Sequence, residues 1–401
     1  MPSHDVDPLP GPYEAVSSLL SAVQVLGSEA VPLETARSRV LRQELRSDRD
    51  SPAIAVSAMD GYAVTAKGST ATTWPLVGTA RTGSAPLRLP PGAAMRIHTG
   101  GPLPIGADAV LRQELAEVSG GCVTMIAPAR DAPLTAGTNV RPPAANAKAG
   151  DVIVAAGAVV TPAVAAALAA CGTHTATVAV RPRASVITGG DEVVDPRDTP
   201  EPWQTRDAIA PALGQLMASL GWLLVGQARV RDSREEIGSA VTSALDSSDV
   251  VVIAGAVGPG DHDHVRPVLE AAGCRVLVHG VRQRPGRPLL LAISPAGKPI
   301  VCLPGNPLSS LVTGHLVLPA LSSRMQGGTS NDGAPSLSVS SRDVSDLWCH
   351  RLVRVTGRGV GTLVTTASSG DVVAAARSDG FVTVPPGESG DGPWSFTPWR
   401  L

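Results

Sequence analysis

The sequence predicts a multidomain chain of α/β plus β class, and three observations carry that prediction. Between residues 184 and about 321, short β-branched runs alternate with stretches of helical apolar spacing, the pattern of a mostly parallel, doubly wound sheet. Between 74 and 140 the β-like runs stay short and are separated by Pro/Gly turns, which marks a compact β-rich insertion. After a Gly/Ser-rich linker at 326–336, strand signals at 351–355 and 381–384 mark a small all-β tail. The length of 401 residues allows two to four domains and a large buried core. With 2% aromatic residues, 42 glycines and 36 prolines, that core rests on Val, Leu and Ala between many defined turns.

Taken in order, residues 12–46 carry two apolar sets, Ala15, Leu19, Leu20 and Val23, then Ala36, Val40 and Leu41. They predict a pair of helices joined by a short extended piece. A loop at 51–61 leads into Tyr62-Ala63-Val64, and the insertion shows strand signals at 75–77, 94–97, 109–111 and 123–126. A strand at 152–154 precedes a helix with Thr161 as N-cap and Pro162 at its first position, closed near Cys171-Gly172. A short strand follows at 177–180. In the α/β stretch, a strand at 184–187 is followed by a helix that Asp207 opens and Gly221 ends. Next come a strand at 222–225 and a capping box from Ser233 to Glu236 ahead of Ile237, Val241 and Leu245. Strands at 250–253, 275–278 and 300–303 follow, and Asn306 with Pro307 starts the last helix.

The net charge of −2 gives no bulk field for nucleic acid or a membrane surface, so an anionic ligand needs a local site. The cysteines, Cys122, Cys171, Cys274, Cys302 and Cys349, are odd in number and lack C-x-x-C spacing. They argue against a disulfide framework or structural zinc and for a reducing cytoplasm. No secretory signal is visible, and the Ala-rich run 163–170 is too short to span a bilayer.

Ligands of doubly wound sheets sit at the carboxyl ends of the strands, which places 188–192, 255–263 and 304–306 on one rim. Gly255, Gly258 and Gly260 allow tight turning and close approach to a ligand, and their N–H groups suit an anion; a plain turn is the alternative. Asp191 and Glu192 follow a strand end, where paired acids bind Mg²⁺ through water or act as acid and base, or else line a solvated loop. Asp261-His262-Asp263-His264 offers carboxylate and imidazole to a divalent metal, or simply acids that suit a helix dipole. Arg282, Arg284 and Arg287 surround Pro285-Gly286 and Pro288, and guanidinium forks suit phosphate and other oxyanions; a surface turn is again the alternative. Pro304-Gly305-Asn306 brings a helix N-terminus to the same rim. These features describe a site for an anion-bearing ligand with a hard metal.

Six stretches, collinear over nearly the whole chain, are similar to one family. They are Ser57-Ala58-Met59-Asp60-Gly61-Tyr62-Ala63; Arg96-Ile97-His98-Thr99-Gly100-Gly101-Pro102 with Gly106-Ala107-Asp108-Ala109-Val110; Thr188-Gly189-Gly190-Asp191-Glu192; 249–264; Arg284-Pro285-Gly286-Arg287-Pro288; and Leu303-Pro304-Gly305-Asn306-Pro307. Together they resemble the molybdopterin molybdenumtransferases, the group that includes the E domain of gephyrin. The resemblance implies an elongated helical domain from 1–46 and 140–178, a β-rich insertion at 47–139, a molybdopterin-binding α/β domain at 179–325 and a C-terminal β-barrel at 332–401. It implies a homodimer whose active site lies between the α/β domain of one subunit and the insertion of the other. The implied reaction uses adenylylated molybdopterin, molybdate and Mg²⁺ and releases AMP, with the molybdopterin adenylyltransferase as a partner. Carried over residue by residue, Asp60, Glu192 and Asp261 would be catalytic, and Asp191, Glu192, Asp261 and Asp263 would bind metal. Thr99, Gly255, Gly258, Gly260, Arg284, Pro285, Gly286, Arg287, Pro288, Pro304, Gly305 and Asn306 would bind substrate. The chain departs from the family pattern where Asn146 and Gln204 stand for carboxylates, where Ala256 and Gly258 stand for glycine and serine, and where Arg284 and Arg287 stand for lysines. An amide in place of a carboxylate removes an anionic ligand, so a molybdopterin-binding or dimeric scaffold with weakened catalysis is the alternative function.

Overall fold

The computed structural model describes residues 9–126, 134–255, 264–329 and 335–400. Within them, three six-stranded sheets carry the architecture. The α/β sheet consists of β1 (Arg183–Gly189), β2 (Leu223–Val230), β3 (Val250–Ala254), β4 (Arg275–His279), β5 (Leu290–Ile293) and β6 (Pro299–Leu303). Their spatial order is β2-β1-β3-β6-β5-β4. The first four are mutually parallel, and β5 runs antiparallel to both neighbours. Between β5 and β6 lies only a turn, closed by Gly297 N–H to Ser294 O at 2.9 Å. So short a link cannot make a parallel crossover.

The central strand β3 is buried at every residue. On one face Val250, Val252 and Ala254 pack with Leu213, Met217 and Leu321; on the other Val251 and Ile253 pack with Ile237, Val241 and Leu269. Cover on both faces is why this strand reads as an unbroken apolar run. Each such side chain contributes about 1.5–3 kcal/mol of burial free energy.

Helix starts follow the expected chemistry unevenly. Asp207 Oδ1 accepts from the N–H groups of Ile209 (3.0 Å) and Ala210 (2.9 Å), opening the helix Ile209–Ser219. Thr161 caps Pro162–Ala170 by accepting from Val164 N–H. Ser233 caps Arg234–Ser247, but Glu236 reaches the Arg231 N–H (3.0 Å) instead of returning to Ser233, so the box is not reciprocal. Asn306 precedes Pro307–Gln326 without a side-chain cap.

One expectation is corrected near the N-terminus. Pro12–Ala22 is helical, but the second apolar set is not: Ser28–Pro32 is a strand and Leu33–Thr35 a single 3₁₀ turn. Ser38 adopts φ 60°, which ends any helix there. Val40 and Leu41 then bridge Val159 and Val178, so the spacing of Ala36, Val40 and Leu41 serves sheet contacts.

In the insertion, Gly61–Val64 lies between Ala94–Ile97 and Ala109–Arg112. A Cβ on Gly61 would sit 2.0 Å from the Leu111 carbonyl oxygen, so this strand pairing requires glycine. The C-terminal sheet runs Gln283–Arg284, Trp348–Gly357, Gly380–Val384, Trp394–Pro398, Ser336–Leu337, with Val360–Leu363 paired to Trp348–Gly357. Its first strand therefore comes from the α/β region. Each of the three sheets buries one tryptophan in its core, Trp74, Trp222 and Trp394 respectively for the insertion, α/β and C-terminal sheets. The helix Pro307–Gln326 joins regions: Leu308 and Val312 pack with Leu352 and Phe381, whereas Leu318 and Leu321 pack with Leu19 and Val23. No helix among the described residues is long and apolar enough to cross a membrane.

Candidate active site

The carboxyl ends of β1, β3 and β6 form a cleft of about 530 Å³, lined by Thr188, Gly190, Glu192, Gly255, Pro304, Gly305 and Asn306 among others. Its floor is backbone packed on backbone. Gly255 has φ +93°, and a Cβ there would lie 2.3 Å from the Gly189 carbonyl oxygen. A Cβ on Gly305 would lie 3.4 Å from Gly255 Cα. The close approach of β1 and β3 therefore requires glycine at 255, while Gly305 sits at ordinary contact distance from it.

Asp207 is largely buried and lines the same cleft. Besides opening its helix, it accepts a hydrogen bond from Thr188 Oγ1 (2.8 Å) and pairs with Arg229 at 3.6 Å. These bonds occupy its carboxylate in holding the wall. Asp232 lines the cleft with a different status. Its Oδ1 is buried and has no hydrogen-bond partner among the described residues, while its N–H donates to Asp191 Oδ1 (3.2 Å). Glu192 lines the same cleft, and its backbone carbonyl accepts from Thr205 N–H (2.8 Å). Asp191 lies beside the cleft and outside its lining. No group of three His, Cys, Asp or Glu residues that could hold a metal occurs among the described residues. Ala256, Gly258, Gly260, Asp261 and Asp263 lie outside the described residues.

A second cleft, of about 1050 Å³, opens between the α/β region and the C-terminal sheet. Arg284, Pro285, Gly286, Arg287 and Pro288 form one wall and a Ser/Thr-rich segment at 365–369 another. Pro288, Asn306 and Ser309 line both clefts, so the two adjoin. Gly286 has φ +98°, and a Cβ there would meet Thr313 Oγ1 at 2.2 Å. Behind the loop, the Gln283 amide donates to the Gly286 carbonyl (3.1 Å) and lies 3.4 Å from Thr313 Oγ1. Its Oε1 lies 3.3 Å from His350 Nε2, and His350 Nδ1 lies 3.0 Å from Thr383 Oγ1. Burial pushes the His350 pKa down to about 3, so the ring is neutral.

Asp60 and Thr99 are brought together, but in the insertion and outside both clefts. Asp60 Oδ1 accepts from Thr99 N–H (2.7 Å) and Thr99 Oγ1 (2.9 Å). The Thr99 backbone bond, then its hydroxyl, hold this carboxyl below the usual carboxylate range, so it stays ionised at neutral pH. Asn146 Nδ2 reaches Ser51 Oγ (3.4 Å), and Gln204 Oε1 accepts from Glu201 N–H (3.1 Å); neither lines a cleft.

Reading along the sequence singles out neither Asp232 nor the Gln283–His350 pair. Asp232 had one available signal, a carboxylate between a strand end and a helix cap. Gln283 and His350 had none, since 67 residues separate them.

Residues 12–172 match the family described as the MoeA N-terminal region (domain I and II), and residues 185–323 match the probable molybdopterin binding domain. The chain is 31% identical over 325 residues to the molybdopterin molybdenumtransferase of a Nostoc species, covering 78% of this chain and 73% of that one. It is 29% identical over 391 residues to the protein of the same name from Synechococcus elongatus, covering 94% and 96%. The crystal structure of a molybdopterin biosynthesis MoeA protein from Pyrococcus horikoshii superposes with a TM-score of 0.77 at 28% identity, over 98% of this chain and 100% of that one.

Proposed function

The chain belongs to the molybdopterin molybdenumtransferase family, and from that premise we propose how its residues serve the reaction. It is a transferase of molybdenum cofactor biosynthesis. The reaction assigned to it is insertion of molybdate-derived molybdenum into adenylylated molybdopterin with release of AMP. One observation carries the residue-level reading: a glycine-built rim and an arginine loop line adjoining clefts that share Pro288, Asn306 and Ser309.

In this reading the N–H groups of the Gly255 to Gly260 loop and of the Gly305–Asn306 turn receive the phosphate of the adenylate. Arg284 and Arg287 receive the second oxyanion, molybdate, through their planar forks, with Pro285, Gly286, Pro288 and Pro304 setting the backbone. Glu192, together with Asp261, takes up the proton of the nucleophile that attacks the phosphorus. Asp60 stays ionised and suits charge stabilisation better than proton donation; Thr99 holds it. The family resemblance implies that both serve the partner subunit's site in a homodimer.

The family implies Mg²⁺, and the donor set on the rim fits it. Asp232, whose buried Oδ1 has no partner among the described residues, and Glu192 line one cleft. Two carboxylates suit a hard cation that takes its other ligands from water and substrate phosphate. Glu192 and Asp232 would hold it, with Asp261 and Asp263, while Asp191 orients Asp232 through its N–H. When bound, the ion neutralises charge on the phosphate oxygens.

The sheets are read as separate units with the boundaries 47–139, 179–325 and 332–401, the last closing as a barrel, and 1–46 with 140–178 as the elongated unit. The cytoplasm is the assigned location, and the molybdopterin adenylyltransferase the assigned source of substrate. The test is AMP release from adenylylated molybdopterin, measured with and without Mg²⁺ and molybdate. Release dependent on both is expected; none, with the dimer intact in solution, overturns the reading.

A further inference from the structure

We propose that Gln283, His350, Thr383 and Thr313 form a positioning device through which the C-terminal sheet holds the Arg284–Arg287 loop ready for its oxyanion. His350 is then a positioning residue for the transfer reaction. The inference rests on the reading above that this loop receives an anion.

The four side chains come from four separate elements, namely Gln283–Arg284, Pro307–Gln326, Trp348–Gly357 and Gly380–Val384. All are buried, Thr313 at 0%, Gln283 at 1%, Thr383 at 3% and His350 at 6% exposure. Polar groups so placed cost free energy unless each finds a partner. Their hydrogen bonds admit one consistent pattern. The Gln283 amide nitrogen donates to Gly286 O, so its Oε1 must accept. His350 Nε2–H therefore donates to Oε1, and Nδ1 accepts from Thr383 Oγ1. Each orientation dictates the next, and the series ends on the carbonyl at the loop tip, between the two arginines.

Three further contacts remove slack. The strand Gln283–Arg284 is in parallel register with Trp348 and Cys349, so backbone and side chains tie the same two regions. The Thr313 hydroxyl fills the space where a Cβ on Gly286 would lie. His350 also stacks edge-on against Phe381 at 5.5 Å, which fixes the plane of its ring. An apolar core would hold the sheet as well; what this set adds is direction at Gly286.

The experiment uses the full chain, with His350→Phe, His350→Gln and the milder Thr383→Val. Three quantities are measured: molybdate Kd by calorimetry, KM for molybdate and kcat in AMP release, and hydrogen exchange of the 281–289 peptide. His350→Phe keeps an aromatic ring and removes both bonds. It should raise Kd and KM about tenfold, with kcat within about threefold, because binding common to ground and transition states is lost. It should also speed exchange of the peptide. His350→Gln, which can still donate and accept, should restore all three to within about threefold of the parent. Thr383→Val should shift Kd in the same direction and stands in if His350→Phe does not fold. Unchanged Kd and exchange in the Phe or Val variant overturns the inference, as does equal loss in the Phe and Gln variants. A parent protein that releases no AMP defeats the functional reading alone; peptide exchange still decides the inference.

Discussion

Gly255, at the end of β3, and the loop at 284–288 line adjoining clefts, yet they are held by different physical means. At Gly255 the constraint is a single close approach, backbone against the Gly189 carbonyl, in a left-handed conformation. At 284–288 it is a series of side-chain hydrogen bonds that begins on neighbouring strands of the C-terminal sheet, far away in the sequence. A backbone constraint of the first kind tolerates no substitution, because any Cβ collides. A side-chain constraint of the second kind degrades in steps, and a residue with matching donors and acceptors can repair it. The comparison teaches that rigidity at one site can come from local chain geometry or from distant packing.

The sharpest way to break the comparison is Gly255→Ala. With a Cβ forced to 2.3 Å from Gly189 O and φ at +93°, it should cost about 3 kcal/mol or more of stability and abolish AMP release. Thermal unfolding with an AMP assay checks this; a fully active, equally stable variant would refute the close-approach account. Next in size is Arg287→Ala, which should lower AMP release about 100-fold while leaving the melting temperature nearly unchanged, since removing one preorganised donor typically costs that much. Arg287→Lys, which keeps the charge without the fork, should fall between.

The pH dependence of stability sharpens the second half of the comparison. His350 has its pKa pushed down to about 3 by burial, against an ordinary value of 6.5. In that window the unfolded chain binds the proton first, so stability is complete above pH 6.5 and declines as pH falls toward 3. His350→Phe should therefore show a shallower fall in melting temperature between pH 7 and 4.5. The smallest effect is expected at Gln204, whose carbonyl serves a surface turn. Gln204→Asp should change turnover less than about threefold. A gain well beyond that would favour the weakened scaffold over the enzyme.

Local features were legible in the sequence. The β3 run, Gly255 after it and Asp207 at its helix start each depend on neighbours a few residues away. Features set by long-range pairing were not. Leu290–Ile293 lacks any alternation that separates it from a buried loop, and Gln283–Arg284 becomes a strand only by meeting Trp348 and Cys349. Ala36, Val40 and Leu41 misled because helical spacing and sheet bridging here bury the same residues. At the site, Gly255, Glu192 and the 304–306 turn were placed on the rim by strand-end topology alone. Asp232 went unnoticed because an unpartnered carboxylate oxygen is a property of surroundings, which no local pattern encodes.

The distribution of tryptophans has a spectroscopic consequence. Trp74, Trp222 and Trp394 are each buried in a different sheet, and the Trp222 indole donates to Ser322 in the helix Pro307–Gln326 (2.8 Å). Variants retaining one of these three as sole buried fluorophore, with the other tryptophans replaced by phenylalanine, would report the melting of each sheet on its own emission band. Three coincident denaturant midpoints would mark a single cooperative unit, and three separate ones would give the order in which the sheets come apart.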